Sequence, residues 1–318
     1  MQIPLLSKLI SSTSRDAGWF AICVQMGGIY LTQVKQVAGR PRVMVCQFYP
    51  VEDMTAAALE KVFKEAHVGR YHFTTLLAAG DYQILMVDAP NVPVDELKTA
   101  IRWRIKDALS YHIDDASVDV LQIPTSKYGS ERPQSMYAVA ASNSTIQQRI
   151  NLFESAKIPL NVIDIPEMAQ RNVASLFEEK GRALALLAFD ESGGLLTFTA
   201  DGELYLARRI EITLGQLQDA NPDLRQQHQD RVELEVQRSL DYFGRQYHYI
   251  PVNRLLVSVL EETNLASMLA DNLDLPVEQL DLAQAMDVSA VPALEQKDFA
   301  VHVLHPLGAA LRQERRAL

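Results

Sequence analysis

Cysteine is scarce in this sequence of 318 residues. The two cysteines, Cys23 and Cys46, each lie in an apolar run with the character of a β-strand. Two buried, reduced thiols of a cytosolic protein explain them, and a disulfide between adjacent strands is the alternative. No C-x-x-C pair is present, so the sequence gives no support for a structural zinc site.

Positive charge is also in short supply. Lysine and arginine number 30 against 40 aspartate and glutamate residues, which gives a net charge of -10. Because a negative field repels phosphate, neither nucleic acid nor an anionic membrane surface is expected as a partner. Hydrophobic residues make up 48% of the chain, which is enough for a folded core. A chain of this length predicts about two domains or lobes.

Long apolar runs are missing as well, and none reaches the length of a membrane span. Residues 1–14 contain only a short apolar stretch and no A-x-A-like cleavage site, so no signal peptide is predicted. We therefore expect a cytoplasmic protein that is connected to a membrane through a partner.

Several motifs of catalysis are absent. The chain contains no G-x-S-x-G, no H-E-x-x-H and no G-x-x-x-x-G-K-[ST]. His302 and His305 are spaced for one helix face, but helix packing explains them better than a metal pair, since no carboxylate shares the spacing. Glu233, Glu235 and Asp241 lie off the apolar stripe of a predicted helix, as expected of a solvated face. No metal site and no catalytic residue are predicted.

The pattern that is present repeats itself. Residues 19–48 read as three strands with tight turns, and residues 183–210 read the same way. Helices and strands alternate after each opening, and the helix at 229–248 carries an apolar stripe that steps by four and three. This indicates a duplicated α/β architecture with a boundary near residue 181. Residues 125–134 and 287–297 are predicted to be the most flexible segments.

Five segments, in the correct order along the chain, resemble the PilM family of type IV pilus assembly proteins. They are the helix segment Ala100, Ile101, Arg102, Trp103, the turn at 111–115, the strand at 137–141, the helix segment 235–243 and the closing segment 299–312. The last two are similar to the family's Glu-Ile-Gln-Arg-Ser-Leu-Asp-Phe-Phe and Phe-Ala-Val-Ala-Leu-Gly-Leu-Ala-Leu-Arg. The similarity runs over most of the chain, and its short second half is most like the branch that serves the mannose-sensitive haemagglutinin (MSHA) pilus, that of MshI.

The resemblance implies an α/β fold of the actin-like ATPase type, also seen in FtsA, with two lobes around a cleft and a small inserted subdomain. Residues 1–180 would form the first lobe, with the inserted subdomain at about 87–156, and residues 181–318 a reduced second lobe. It also implies a cytoplasmic scaffold that holds the N-terminal tail of the inner-membrane protein PilN. The cytoplasmic part of the secretion protein GspL is a more distant relative.

A fold of this kind binds ATP with Mg²⁺ through two Gly-rich hairpin turns, each headed by an acidic residue. At the first turn, Cys23 and Gln25 stand where the family has an acid and a glycine. Gly27 and Gly28 remain as candidates for cradling a phosphate, although an ordinary hairpin turn explains them better.

The second turn keeps more of the family pattern. Asp190 matches the family's aspartate if the loop is shorter, and Ser192, Gly193 and Gly194 are candidate phosphate ligands. A Gly-rich hairpin without a nucleotide is an equally good reading.

The place of the adenosine motif, after the strand at 254–259, has no glycine. It has Glu261 and Glu262 instead, and two carboxylates repel an anionic ligand. A degenerate nucleotide site is therefore expected, and an ATP-hydrolysing actin-like motor is the alternative.

By the same resemblance, the partner's tail would lie in a groove between the main part of the first lobe and the inserted subdomain. Arg102, Trp103 and Tyr111 are the predicted partner-binding residues, since aromatic and arginine side chains dominate such contacts. A core tryptophan beside a surface arginine is the competing interpretation. Arg104 stands where the family has glutamate, which changes the charge next to them.

Overall fold

The computed structural model describes residues 18–25, 27–68, 71–125 and 134–313. The predictions for residues 1–14 and for most of the loop at 125–134 lie outside these residues. None of the described helices combines the length and the hydrophobicity that a bilayer crossing requires.

The described residues form thirteen strands and eight α-helices, several of them extended by short 3₁₀ turns. The strands are β1 Trp19–Gln25, β2 Gly28–Val37, β3 Arg40–Pro50, β4 His72–Leu76, β5 Tyr82–Asp88, β6 Ala116–Gln122, β7 Ser135–Ser142, β8 Leu160–Asp164, β9 Ala183–Asp190, β10 Gly193–Ala200, β11 Glu203–Ile210, β12 Val252–Ser258 and β13 Val277–Gln279. The helices are α1 Ala56–Glu65, α2 Leu97–Ile105, α3 Asn143–Ser155, α4 Pro166–Ala174, α5 Leu214–Leu217, α6 Pro222–Gln246, α7 Leu265–Asn272 and α8 Lys297–Ala310.

Two five-stranded sheets have the same topology. The first has the order β3-β2-β1-β4-β8 and the second the order β11-β10-β9-β12-β13. In each, three antiparallel strands are followed by two parallel ones. The duplicated α/β arrangement predicted from the repeated three-strand opening is confirmed. We call the parts built on these sheets the first and second lobes.

The central strands show why the sequence folds this way. Strand β9 reads as an almost continuous apolar run, and all its residues except Asp190 are buried. Such a run is typical of a strand covered on both faces. Helix α6 instead has a stripe, in which Val232, Val236 and Phe243 are buried against the second sheet and the opposite face meets solvent.

A third sheet, β5-β7-β6, is inserted in the first lobe. One of its faces packs on α2, whose Leu97, Ile101 and Ile105 are buried. Tyr137, on β7, belongs instead to the core of the second lobe, and its hydroxyl accepts a hydrogen bond from the Ala207 amide at 3.0 Å. The inserted sheet therefore joins the two lobes. The boundaries proposed at residues 87, 156 and 181 stay predictions.

Helices α4 and α8 cross between the two large sheets. Gly308 marks the crossing, because a Cβ there would lie 2.1 Å from the Ala169 carbonyl oxygen. The Gly308 carbonyl accepts a hydrogen bond of 2.9 Å from the Asn172 amide group. Side chains of both helices and both sheets form one hydrophobic core here. The lobes are thus packed together as well as linked by the chain.

Some predicted segments differ from the structure. Helix α6 begins at Pro222, before the predicted start at residue 229, because Asn221 caps it and proline fits the first helical turn. The prediction that residues 287–297 form a flexible segment is wrong, because Val288 and Leu294 are buried in the core. Strand β13 and helix α5 were not predicted, because elements of three and four residues are too short to show a periodic pattern.

Candidate functional site

A cavity of about 300 Å³ lies where the two hairpins of the lobes approach each other. Its lining comes from the end of β1, the end of β4, the start of α4, the turn after β9 and one face of α8. These residues are Cys23, Val24, Gln25, Leu76, Leu77, Ala78, Ala79, Pro166, Asp190, Glu191, Ser192, His302 and His305. Of the six residues predicted for a nucleotide site, Asp190 and Ser192 line this cavity, opposite the end of β1 that precedes the first predicted turn. The volume is at the low end for small-molecule pockets.

Two polar residues of the first hairpin, Cys23 and Gln25, line this cavity. Cys23 is buried, and burial raises the pKa of its thiol to about 12, so it is a neutral group here. Gly27 has φ +80°, the left-handed conformation that a tight turn requires. Gly28 packs against the next strand, since a Cβ there would lie 2.3 Å from the Tyr49 carbonyl oxygen. Neither glycine lines the cavity.

The second hairpin is organised by Asp190. Its carboxylate Oδ1 accepts hydrogen bonds from the Ser192 amide at 2.8 Å and the Ser192 hydroxyl at 2.5 Å. This closes a tight polar turn at the end of β9. Gly193 and Gly194 begin β10, and a Cβ on either would meet Ile210 or Phe189 at less than 3 Å. Close strand packing accounts for both glycines.

His305 of α8 completes the Asp190 site. Its Nδ1 lies 3.5 Å from Asp190 Oδ2, and its Nε2 lies 3.0 Å from Gln170 Oε1. The Gln170 amide nitrogen donates to the Leu186 and Leu195 carbonyls, which orients its oxygen toward His305. Both imidazole nitrogens therefore face oxygen atoms of neighbouring side chains. Burial alone would raise the pKa of Asp190, but hydrogen bonds from His305 and Ser192 outweigh it and hold the pKa at about 2.

The predicted adenosine position does not reach the cavity. Residues 261–263 form a 3₁₀ turn, and neither glutamate belongs to the cavity lining. Glu261 pairs with Lys297 at 3.4 Å, and Glu262 accepts a hydrogen bond from Gln218 at 2.5 Å. Both carboxylates are thus engaged at the surface.

These residues do not fit ATP with Mg²⁺. The Asp190 carboxylate that would manage the ion already accepts two hydrogen bonds from Ser192 and lies 3.5 Å from His305 Nδ1, and the first hairpin supplies no acid. Within the described part of the chain, no group of three His, Cys, Asp or Glu side chains is placed to hold a metal. The Cys23 thiol is not activated as a nucleophile, because burial raises its pKa to about 12. The six predicted nucleotide-site residues stay a prediction.

A second depression, of about 510 Å³, lies on the inserted subdomain. Trp103, Lys106, Tyr111 and His112 are among its lining residues. Trp103 is 64% exposed, because α2 turns Leu97, Ile101 and Ile105 inward and leaves this face to solvent. The Lys106 ammonium lies 5.9 Å from the centre of the Trp103 ring. The competing interpretation, in which Trp103 is a core residue, is therefore wrong.

Arg102 is held by the main chain beside this depression. Its guanidinium donates to the Ile113 carbonyl at 2.7 Å and to the Ala116 carbonyl at 2.8 Å. It fixes the turn that carries Tyr111, and it does not line the depression. Arg104 points elsewhere, donating to the Asp88 carbonyl at 2.8 Å. The partner-binding roles of Arg102, Trp103 and Tyr111 stay predictions.

Sequence reasoning missed a buried ion pair between the lobes. Glu167, at the start of α4, is fully buried and pairs with the Arg209 guanidinium at 2.9 Å. The Tyr82 hydroxyl of the inserted sheet hydrogen-bonds to both groups. Residues from three separate segments meet here, so no local pattern could have predicted the cluster.

Comparisons with known proteins support the fold. The structure superposes on PilM from the PilM-PilN type IV pilus biogenesis complex with a TM-score of 0.71, at 18% identity over 93% of this chain and 98% of that one. The chain therefore has the PilM-type, actin-like fold. The cytoplasmic domain of EpsL, an inner-membrane component of the type II secretion system of Vibrio cholerae, scores 0.47 at 12% identity, covering 89% of this chain and 94% of that one. A Bacteroides thetaiotaomicron protein with an actin-like ATPase fold scores 0.49 at 10% identity, covering 85% and 95%.

No model of a protein family matches the sequence, and no curated protein matches it either.

Proposed function

We propose that this chain is a scaffold of type IV pilus assembly, of the MSHA type, that docks the N-terminal cytoplasmic tail of a PilN-like inner-membrane protein. The observation that carries the proposal is the superposition on PilM, which was solved in complex with PilN, over nearly the whole of both chains. The protein would act in the cytoplasm, held at the inner membrane by that partner. The sequence motifs at 100–103, 235–243 and 299–312 support the same assignment.

The docking surface we propose is the depression around Trp103 and Tyr111. A large aromatic side chain that is 64% exposed has no packing role on α2, and such residues are frequent anchors of protein interfaces. Arg102 contributes by holding the turn at Ile113 and Ala116. An extended peptide bound here would use its main chain for hydrogen bonds and its side chains for the pocket.

The rival function is an ATP-driven assembly motor. It requires an acid in each hairpin and open access to the nucleotide. Cys23 in the first hairpin and the His305 contact of Asp190 in the second both count against it. We therefore regard the nucleotide site as degenerate.

The docking proposal is tested by titrating a labelled peptide with the sequence of the cognate PilN-like protein's cytoplasmic N-terminus. Trp103→Ala and Tyr111→Ala should each weaken binding by about 1–2 kcal/mol, a factor of roughly 5–30, since interface aromatics carry most of the affinity. Val94→Ala is the matched control, because Val94 is also apolar, 61% exposed and on the same subdomain. Unchanged affinity in both aromatic variants, with their folds intact, would refute this placement of the partner.

A further inference from the structure

A segment of the second lobe adds to the open edge of the first sheet. The Val43 amide of β3 donates to the Asp287 carbonyl at 2.9 Å, and the Asp287 amide donates to the Pro41 carbonyl at 2.8 Å. The two strands run parallel at this bridge. We call the paired segments, residues 40–43 and 283–289, the interlobe clasp.

Two arginines of β3 reach across the clasp. Arg40 Nη2 donates to the Ala283 carbonyl at 2.7 Å and to the Met286 carbonyl at 3.1 Å. Arg42 Nε lies 3.3 Å from Asp287 Oδ2. Arg40 therefore supplies hydrogen-bond donors to two main-chain carbonyls of the segment 283–289. The pair of Arg42 with Asp287 is 37% exposed on each side, so it contributes less than the main-chain bonds.

Buried side chains anchor the clasp from beneath. Met286 is 1% exposed, Val288 is 6% exposed and Val43 is fully buried, all in the core that α4 and α8 share with both sheets. The clasp also covers part of an edge strand, where unpaired amides and carbonyls would meet solvent. The clasp therefore adds a main-chain contact between the lobes to the side-chain packing of α4 and α8.

We propose that the interlobe clasp holds the two lobes in one fixed relative position, without a ligand between them. Two-lobed proteins that close around a ligand move about a hinge of few residues. Main-chain pairing between the edge of one sheet and a segment of the other lobe removes that freedom. This inference concerns the free protein and does not depend on the proposed pilus partner.

The clasp is tested by hydrogen exchange at the Val43 and Asp287 amides in the whole protein. Both amides should exchange at least about a hundredfold more slowly than unstructured amides, and equally slowly with and without Mg-ATP, because their acceptors lie in the opposite lobe. In the double variant Arg40→Ala/Arg42→Ala, their exchange should accelerate by about tenfold or more. Unprotected amides in the wild-type protein would overturn the proposal, as would equal rates in the double variant.

The matched control removes two arginines with local contacts only. Arg238 pairs with Glu235 one turn away, and Arg245 donates to the Asp241 carbonyl of its own helix. Arg238→Ala/Arg245→Ala should leave the exchange of Val43 and Asp287 at the wild-type rate. If this variant accelerates them as much as the clasp variant does, the effect is general destabilisation and the proposal fails.

A distance measurement tests the rigidity itself. Spin labels on cysteines introduced at Lys61 of α1 and Asp271 of α7 report the separation of the lobes, since both positions are exposed. One narrow distance distribution that Mg-ATP leaves unchanged supports the clasp, and Arg40→Ala/Arg42→Ala should broaden it. A wild-type distribution that is broad, or that shifts on adding Mg-ATP, contradicts it.

Discussion

The hairpin β1–β2 of the first lobe and the hairpin β9–β10 of the second occupy equivalent places in two sheets of the same topology. Both reach the same cavity, yet they bring different chemistry to it. The second hairpin supplies the Asp190 carboxylate, which is held by Ser192 and His305. The first hairpin supplies Cys23, whose thiol is neutral, and Gln25. The two hairpins thus have equivalent positions but different side chains, and it is the side chains that determine what the cavity can bind.

The largest effect is expected at Gly28. Gly28→Ala places a Cβ 2.3 Å from the Tyr49 carbonyl oxygen, so strands β2 and β3 must separate. We expect a loss of about 3 kcal/mol in the free energy of unfolding, measured by urea denaturation.

Gly27→Ala is the control for that prediction. It meets no atom within 4 Å but has φ +80°, so it should cost about 1 kcal/mol from backbone strain alone. Equal losses in the two variants would mean that close strand packing does not explain the glycine pair of the first hairpin.

A smaller, pH-dependent effect is expected at Asp190. Its pKa is held at about 2 in the folded protein against 3.8 ordinarily, so its charge stabilises the fold above pH 3.8. That stabilisation is lost as the pH falls through the folded pKa. Asp190→Asn should therefore cost about 1 kcal/mol near neutral pH, a value reduced for the partial exposure of the carboxylate.

The measurement is chemical denaturation of wild type and Asp190→Asn between pH 7 and pH 2. The difference between them should shrink as the pH falls below about 4. Gln25→Asn, across the cavity, changes no charge and should show no such trend. A constant difference at every pH would rule out the His305–Asp190 contact as its source.

The mildest test concerns the thiols of the first lobe. Burial raises the pKa of both Cys23 and Cys46 to about 12, and both are free thiols on the non-adjacent strands β1 and β3. At pH 8 only about one molecule in ten thousand carries a thiolate at either position. Neither cysteine should react with a thiol reagent until denaturant unfolds the chain. Rapid labelling of Cys23 in the native protein would contradict its burial and would show that the reagent reaches the thiol through the cavity.

The sequence predicted the parts of the fold that depend on local pattern. The three-strand openings, the buried run of β9 and the stripe of α6 all follow from periodicity. Asp190 and Ser192 were correctly placed in one tight turn because the turn chemistry is local.

Contacts between distant segments could not be predicted. His305 was expected to pack its helix, but its two acceptors, Asp190 and Gln170, come from other parts of the chain. The segment at 287–297 was predicted to be flexible because the sequence does not show that Arg42 and Val43 bind Asp287 at its start. The exposure of Trp103 likewise depends on which face α2 turns inward.

The central claim is that this protein is a scaffold rather than a working ATPase. Calorimetric titration with Mg-ATP tests it most directly. The Cys23 and Asp190 environments predict no binding at micromolar ATP and little gain in melting temperature, because stabilisation follows RT ln(1 + [L]/Kd). A micromolar dissociation constant, accompanied by steady release of phosphate, would contradict the account.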